Sequence, residues 1–113
     1  MKSAALAIGL LSWAAAALAA DHRVVIDGMA FTPKVVAVRP GDTVTWVNKD
    51  LVAHNVTSSA AGIRSGDLQP GQRWRHTVRQ GETFDYLCTL HPVMTGRVEA
   101  GEPVKPARRR STS

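Results

Sequence analysis

The sequence feature that most limits the fold is a succession of short β-type runs between Arg23 and Glu99, separated by turn residues at close intervals. In the run 43–48, Val44 and Trp46 share one face, because side chains alternate along a strand. Pro40-Gly41 just before this run predicts a turn, since proline fixes φ and glycine permits positive φ. Frequent short strands of this kind are typical of an all-β sandwich or barrel, and we expect that fold class.

The strands are predicted from β-branched or alternating segments that end at turn signals. Asp27-Gly28 and Gln80-Gly81-Glu82 are two such turns, and Pro33 is expected at the start or edge of a strand, where its missing N–H is tolerated. Segment 58–70 is polar, shows no helical period and has no readable conformation. The predicted strands are 23–26, 34–38, 43–48, 54–57, 72–78, 83–87 and 96–99.

The first twenty residues have the composition of a secretory signal peptide. Lys2 is followed by an apolar run rich in alanine and leucine, which ends in the small-residue segment Ala17-Leu18-Ala19-Ala20. A membrane-spanning helix needs about 20 strongly apolar residues, whereas this run is shorter and dominated by alanine. We expect residues 1–20 to be cleaved, and the chain to be periplasmic without stable membrane insertion if its source is a Gram-negative bacterium.

The exact cleavage point decides what the mature terminus can bind. Cleavage after Ala19 would leave Ala20-Asp21-His22, whose amine, two amide nitrogens and imidazole can offer Cu(II) or Ni(II) a square-planar nitrogen set. Alternatively, His22 lies idle on a frayed terminus. Cleavage after Ala20 would remove the arrangement, and the sequence leaves these possibilities open.

The charge distribution argues against a nucleic-acid partner. One small domain fits 113 residues, and its formal charge of +5 falls to +4 without Lys2. Most of the remaining excess lies beyond Gly101, so the folded part lacks a basic face of the kind that binds nucleic acids. Residues 101–113 are too polar to fold alone and are predicted to be a disordered basic tail. This tail is either a solvated end or an electrostatic docking arm; its cations are Lys105, Arg108, Arg109 and Arg110.

The segment 88–94 places a thiol, an imidazole and a thioether at the spacing C-x-x-H-x-x-M, in Cys88, His91 and Met94. Soft sulfur ligands together with imidazole suit copper, and two histidines with one cysteine and a weak axial methionine form a blue-copper electron-transfer site. A second histidine is needed, and His54 is the natural candidate. The chain has one cysteine, so it forms no internal disulfide. We predict that His54, Cys88, His91 and Met94 bind the metal.

Other interpretations of these residues are weaker. His76 alternates with Trp74 and Val78 in a predicted strand, which indicates a satisfied structural or surface histidine rather than a ligand. Met94 could instead fill a gap in the hydrophobic core, and zinc could bind the same nitrogen and thiolate ligands, although the methionine favours copper. An enzyme would need an open coordination position or a second metal. Four protein ligands leave no such position, so we do not expect an enzyme.

The chain resembles the cupredoxins, and within them the amicyanin and plastocyanin group, from about Arg23 to Glu99. The resemblance rests on the run 41–48, on His54-Asn55-Val56 and on Phe84-Asp85-Tyr86-Leu87-Cys88 leading into the loop, whose short spacing is that of amicyanins. It implies a Greek-key β-sandwich over residues 21–100. It also implies His54, Cys88 and His91 as strong equatorial ligands of one type 1 copper ion, with Met94 as the weak axial ligand, and Asn55 hydrogen-bonded near Thr89.

Three positions depart from the amicyanin pattern. Leu90 stands where such loops tend to carry a proline, Val93 where they carry an aromatic residue, and Ala53 where a proline often precedes the first histidine. None of these changes affects a ligand. They do alter the surface around the loop, so the partner surface of amicyanins is not transferred to this chain.

The function implied is the transfer of single electrons between redox proteins, from a dehydrogenase or other donor to a cytochrome or oxidase, by a monomer. An apolar surface around His91 would contact these partners, formed by Leu51, Leu90, Pro92 and Val93. The alternative is a periplasmic protein that stores or delivers copper without redox turnover. Exchangeable metal would indicate the alternative, and tightly held metal with fast electron exchange would indicate the electron carrier.

Overall fold

A computed structural model describes residues 18–102, which form nine β-strands and contain no helix. Most strands are short, as the closely spaced turn signals predict. Within the described range, no helix is long and apolar enough to cross a membrane. The strands are β1 (Asp21–Asp27), β2 (Ala30–Thr32), β3 (Val35–Val38), β4 (Thr43–Asn48), β5 (Thr57–Ser58), β6 (Ile63–Arg64), β7 (Arg73–Thr77), β8 (Phe84–Leu87) and β9 (Thr95–Ala100).

The strands form two mixed sheets. One has the order β2-β1-β4-β7 and the other the order β3-β9-β8-β5-β6. β1 pairs in parallel with β4, and β3 in parallel with β9, while the other pairs are antiparallel. The prediction of an all-β Greek-key sandwich is confirmed.

The core lies between the sheets and follows the alternation of the strands. Val44 and Trp46 are fully buried, as their shared face predicts. The rings of Trp46 and Phe31 pack edge-on against Tyr86, with centroids 5.5 and 4.8 Å away. Burial raises the pKa of Tyr86 to about 12, so its hydroxyl stays neutral. The Tyr86 ring also covers Gly96, where a Cβ atom would overlap its Cζ and Oη atoms; a side chain at position 96 is therefore excluded by packing.

Several strands differ from the sequence prediction, and three of the differences matter for the site or the termini. β1 begins at Asp21 rather than Arg23, so His22 lies in the sheet, opposite Val44. His54 forms an isolated bridge with Leu68 instead of starting a strand. Segment 58–70 contains the two-residue strand β6, held by pairing with β5. Each difference follows from pairing with another segment of the chain, and the pattern of residues within one segment does not report such pairing.

The topology brings two loops to one end of the sandwich. β8 and β9 form an antiparallel pair whose register places Leu87 opposite Thr95, so the segment between them closes a tight loop at that end. After Asn48, the chain leaves the first sheet and reaches the second at β5. The crossing carries His54, and the loop carries Cys88, His91 and Met94.

Candidate metal centre

The structure brings three of the predicted ligands together. Sγ of Cys88 lies 3.8 Å from Nδ1 of His54 and 3.8 Å from Nδ1 of His91, and the two Nδ1 atoms are 3.2 Å apart. Cys88 and His54 are fully buried, whereas His91 is partly exposed. Within residues 18–102, this is the one group of three histidine, cysteine or acidic residues close enough to hold a metal ion.

Main-chain hydrogen bonds give the Cys88 loop its shape. The N–H of His91 donates to the carbonyl of Cys88 (3.2 Å), and the N–H of Met94 donates to the carbonyl of His91 (2.9 Å). The N–H of Cys88 donates back to the carbonyl of Met94 (3.1 Å). These successive turns return Met94 to the start of the loop, where its side chain is 2% exposed. The predicted axial ligand is therefore buried at the same end of the sandwich.

His54 is fixed by its main chain and by its ring. Its N–H and carbonyl both pair with Leu68, at 3.1 and 2.7 Å. Nε2 of the ring lies 2.9 Å from Oδ2 of Asp50. The N–H groups of Met29 and Leu51 also donate to this carboxylate, and the pKa of Asp50 is lowered first by the Met29 N–H, then by His54 and then by Leu51. An ionised Asp50 favours the proton on Nε2, which leaves the lone pair of Nδ1 facing Cys88.

Asp50 is a functional residue that the sequence analysis missed. A carboxylate often orients a metal-binding histidine through the ring nitrogen that does not bind the metal. The available signal was an aspartate four residues before His54, but many exposed aspartates lie at such distances from a histidine. Only the fold shows that this carboxylate reaches Nε2.

Asn55 joins the two ligand segments, as the family resemblance implies. Its Nδ2 donates to Oγ1 of Thr89 (2.7 Å), and its Oδ1 accepts from the N–H of Thr89 (2.9 Å). Its own N–H donates to Sγ of Cys88 (3.4 Å). Two further hydrogen bonds run to Oδ1 of Asp67 and from the Thr57 hydroxyl. The predicted position of Asn55 near Thr89 is confirmed, and the network limits movement of Cys88 relative to His54.

The donor set fits a soft metal ion such as copper. Two imidazole nitrogens and one sulfur converge, with no carboxylate oxygen among them. Because Asp50 favours the proton of His54 on Nε2, Nδ1 presents a lone pair to the other two donors. A cation at their centre would satisfy all three, and thiolate with imidazole is a combination that copper prefers.

The remaining histidines lie elsewhere. Nε2 of His76 is 2.6 Å from Oε1 of Glu82, and its ring stacks on Trp74 with the centroids 5.8 Å apart. The predicted structural role of His76 is therefore confirmed. His22 lies in β1 and pairs with Asp42 at 2.9 Å, so the alternative of an idle residue on a frayed terminus is wrong. Both rings are held by carboxylates away from Cys88.

The two ligand segments also carry exposed apolar side chains. Leu51 and Val93 are each 90% exposed, and Leu90 is 48% exposed. Pro92, the other residue predicted for a contact surface, is exposed as well. Val52 extends the same set and was not predicted. We call these five residues the apolar patch.

Comparison with known proteins gives consistent matches. Residues 19–101 match the family described as copper binding proteins, plastocyanin/azurin family. The chain is 36% identical over 91 residues to amicyanin of Paracoccus denitrificans, covering 74% of this chain and 70% of the relative. It is 35% identical over 101 residues to amicyanin-alpha of Methylorubrum extorquens, covering 85% of each.

Solved structures show the same relationship. A reduced amicyanin mutant superposes with a TM-score of 0.67 at 32% identity, covering 72% of this chain and 82% of that one. A purple cupredoxin from Nitrosopumilus maritimus superposes with a TM-score of 0.65 at 26% identity, covering 72% of this chain and all of that one. The sandwich described above is thus similar to those of known copper proteins.

Proposed function

The chain belongs to the plastocyanin/azurin family of copper binding proteins, and from this premise we propose that it carries single electrons between redox proteins in the bacterial periplasm. Because the protein belongs to this family and has amicyanins among its relatives, it is a copper-binding electron-transfer protein with one type 1 copper ion. The observation that carries the proposal is the convergence of His54, Cys88 and His91 within 4.8 Å of one another.

We assign the strong ligand positions to His54, Cys88 and His91 and the weak axial position to Met94. Their support is the measured proximity of the first three donors and the burial of Met94 in the same loop. When bound, copper supplies a couple that gains and loses one electron. Cys88 binds as a thiolate, so its thiol gives up a proton when the metal is loaded.

The protein's own part in electron transfer is to keep the donors in one arrangement. Asp50 holds the His54 ring, Asn55 ties the two ligand segments, and main-chain hydrogen bonds close the loop. A site held in this way changes little when the charge of the metal changes, which lowers the reorganisation that accompanies transfer. With four ligands and no open position, the site supports a carrier rather than an enzyme.

The route for electrons passes by His91. Cys88 and His54 are fully buried, whereas His91 is partly exposed on a loop that also presents Leu90 and Val93. Small apolar surfaces suit brief encounters, which lie at the low end of protein interface sizes. We propose that the apolar patch contacts a dehydrogenase donor or a cytochrome acceptor, and that the protein acts as a monomer.

The periplasmic location belongs to the proposal. Its support is the composition of residues 1–20, which is that of a secretory leader. Residues 1–17 and 103–113, which hold most of this predicted leader and of the predicted basic tail, lie outside the described residues. The domain limits of 21–100 accord with strands that begin at Asp21 and end at Ala100.

The test of electron transfer compares two variants with the same added charge. Val93→Asp places a carboxylate in the apolar patch, while Gln80→Asp places one in the exposed turn before β8, at the end of that strand away from Cys88. Stopped-flow oxidation by a c-type cytochrome is expected to slow at least about tenfold in Val93→Asp, because the docked state must desolvate the new charge. Gln80→Asp should react like the wild type.

The delivery alternative is separated by metal exchange. A soluble Cu(I) chelator is expected to remove copper far more slowly than the protein exchanges electrons. Rapid loss of copper to the chelator, combined with equal cytochrome rates in both variants, would favour copper delivery and contradict the electron carrier.

A further inference from the structure

A buried carboxylate lies beside the first residue of the folded body. Asp42 is 5% exposed. Its Oδ1 accepts from the N–H of Ala20 (2.9 Å), and its Oδ2 accepts from the N–H of Arg39 (3.0 Å) and lies 2.9 Å from Nε2 of His22. The Arg39 N–H, followed by His22 and Ala20, lowers the pKa of Asp42 to about 2. Asp42 is therefore ionised at neutral pH.

No lysine or arginine side chain within residues 18–102 forms an ion pair with Asp42; its one ion-pair partner is His22. Imidazole is ordinarily neutral at pH 7. A buried carboxylate is costly unless a cation or several hydrogen bonds compensate its charge. Three hydrogen bonds already compensate this charge, and a cation at Ala20 would strengthen the one to Oδ1. The cavity beside Asp42 is also lined by Arg39 and Glu102.

Ala20 is where the chain joins the folded body. The N–H of Thr43 donates to the carbonyl of Ala20 (3.0 Å), next to the contact between Ala20 and Asp42. Ala19 is exposed and Leu18 is 92% exposed. In the sequence, the bond between Ala19 and Ala20 follows the segment Ala17-Leu18-Ala19, which has the A-x-A form of a signal-peptide cleavage site.

We propose that leader removal hydrolyses the bond between Ala19 and Ala20, and that the α-ammonium group of Ala20 docks on the Asp42 carboxylate. Water is consumed, Ala19 leaves with the new carboxylate, and the amine of Ala20 takes up a proton. The proposal rests on export to the periplasm, which is part of the proposed function. It adds a processing site and a binding site for the new terminus.

Neighbouring cleavage points would lose these contacts. Cleavage after Ala20 removes the donor to Oδ1 of Asp42 and the acceptor of the Thr43 N–H. Cleavage after Leu18 leaves the new charge on Ala19, one residue away from the carboxylate. Cleavage after Ala19 keeps every contact and replaces an amide N–H by an ammonium group 2.9 Å from Oδ1.

Docking of the Ala20 α-ammonium group on Asp42 also prevents the new N-terminus from binding copper. A square-planar site on Ala20-Asp21-His22 would need the amine, two amides and the His22 ring to turn toward one ion. In the fold, Asp21 and His22 lie in β1 opposite Thr43 and Val44, and the ring is held by Asp42. We therefore expect the mature folded protein to bind one Cu(II) ion and not two.

The first experiment expresses the full chain in a Gram-negative host and measures the intact mass and N-terminal sequence of the periplasmic protein. Ala20 is expected as the first residue. A mature chain that begins at Asp21, or at any other residue, overturns the processing site. A chain that stays unprocessed in the cytoplasm refutes export. If that unprocessed protein still forms a blue copper centre, the metal site stands and only the proposed export fails.

The second experiment measures acylation of the α-amine at pH 7 by mass spectrometry of the N-terminal peptide. Pairing with Asp42 should raise the pKa of the Ala20 α-amine, and each unit of increase lowers the fraction of free amine about tenfold. The wild-type amine should therefore react at least about tenfold more slowly than the amine of Asp42→Asn. Asp21→Asn is the matched control, because it removes a neighbouring carboxylate and leaves Asp42 in place. Equal rates in the wild type and Asp42→Asn overturn the docking.

A third measurement covers the case in which Asp42→Asn does not fold. The mature wild-type chain is acetylated at its α-amine and melted beside the unmodified protein. Loss of the ion pair is expected to lower Tm by several degrees, since about 1 kcal/mol corresponds to roughly 4–8 °C for a domain of this size. An unchanged Tm would also overturn the docking.

Discussion

Replacing Asn55 with alanine removes four side-chain hydrogen bonds, which link it to Thr89 twice, to Thr57 and to Asp67. A hydrogen bond of this kind contributes about 0.5–1.5 kcal/mol net. All four bonds are partly buried. Asp67 and Thr89 are exposed residues, so water can reach their freed atoms and each bond counts at the lower end of this range. We expect Asn55→Ala to lower the free energy of unfolding by about 2–3 kcal/mol.

Urea denaturation of the copper-free protein, with a reductant present, measures this change directly. With a urea dependence of about 1–3 kcal/mol per molar, the midpoint should fall by roughly 1–2 M. Thr57→Val is the control, because it removes one of the four bonds and should cost about 1 kcal/mol. If Asn55→Ala and Thr57→Val proved equally stable, the network would not hold the two ligand segments together, and the account of a rigid site would fail.

Two further predictions concern other residues. Gly96→Ala should destabilise the fold by about 1–3 kcal/mol, because its Cβ overlaps the buried Tyr86 ring. Gly101→Ala is the control, since its Cβ would lie 3.4 Å from the nearest atom, the carbonyl oxygen of Val38. Urea denaturation of both variants should show the smaller loss of stability in Gly101→Ala. The pKa of Asp42 falls from 3.8 to about 2 on folding, so its stabilisation is full above pH 4 and is lost as the pH falls toward 2. Between about pH 5 and 2, the Tm of Asp42→Asn should therefore fall less steeply with pH than the Tm of the wild type. An equally steep fall in both proteins would contradict the lowered pKa of Asp42.

The ligand set could be predicted because it depends on local spacing. Cys88, His91 and Met94 lie on one short loop, and only His54 had to be found elsewhere in the chain. The all-β fold was predictable for a similar reason, since alternation and turn residues are local signals. Asn55 was placed correctly through the family resemblance, and its spacing alone would not have shown the contact with Thr89.

The features that could not be predicted depend on the folded shape of a loop or on contacts between distant segments. Asp50 becomes a partner of His54 only when the crossing loop takes its folded shape. His22 lies in β1 because that strand pairs in parallel with β4, and its ring then lies beside Asp42, twenty residues further along the chain. Neither carboxylate differs in sequence from an ordinary surface aspartate, so their roles depend on the fold itself.

The most direct test of the central claim is the visible spectrum of the mature chain with one equivalent of Cu(II), recorded before and after ascorbate. The account predicts an intense thiolate-to-copper band that bleaches on reduction and returns in air, and that is absent in Cys88→Ser. A colourless protein, or a band that survives the loss of Cys88, would contradict a type 1 copper centre at these residues.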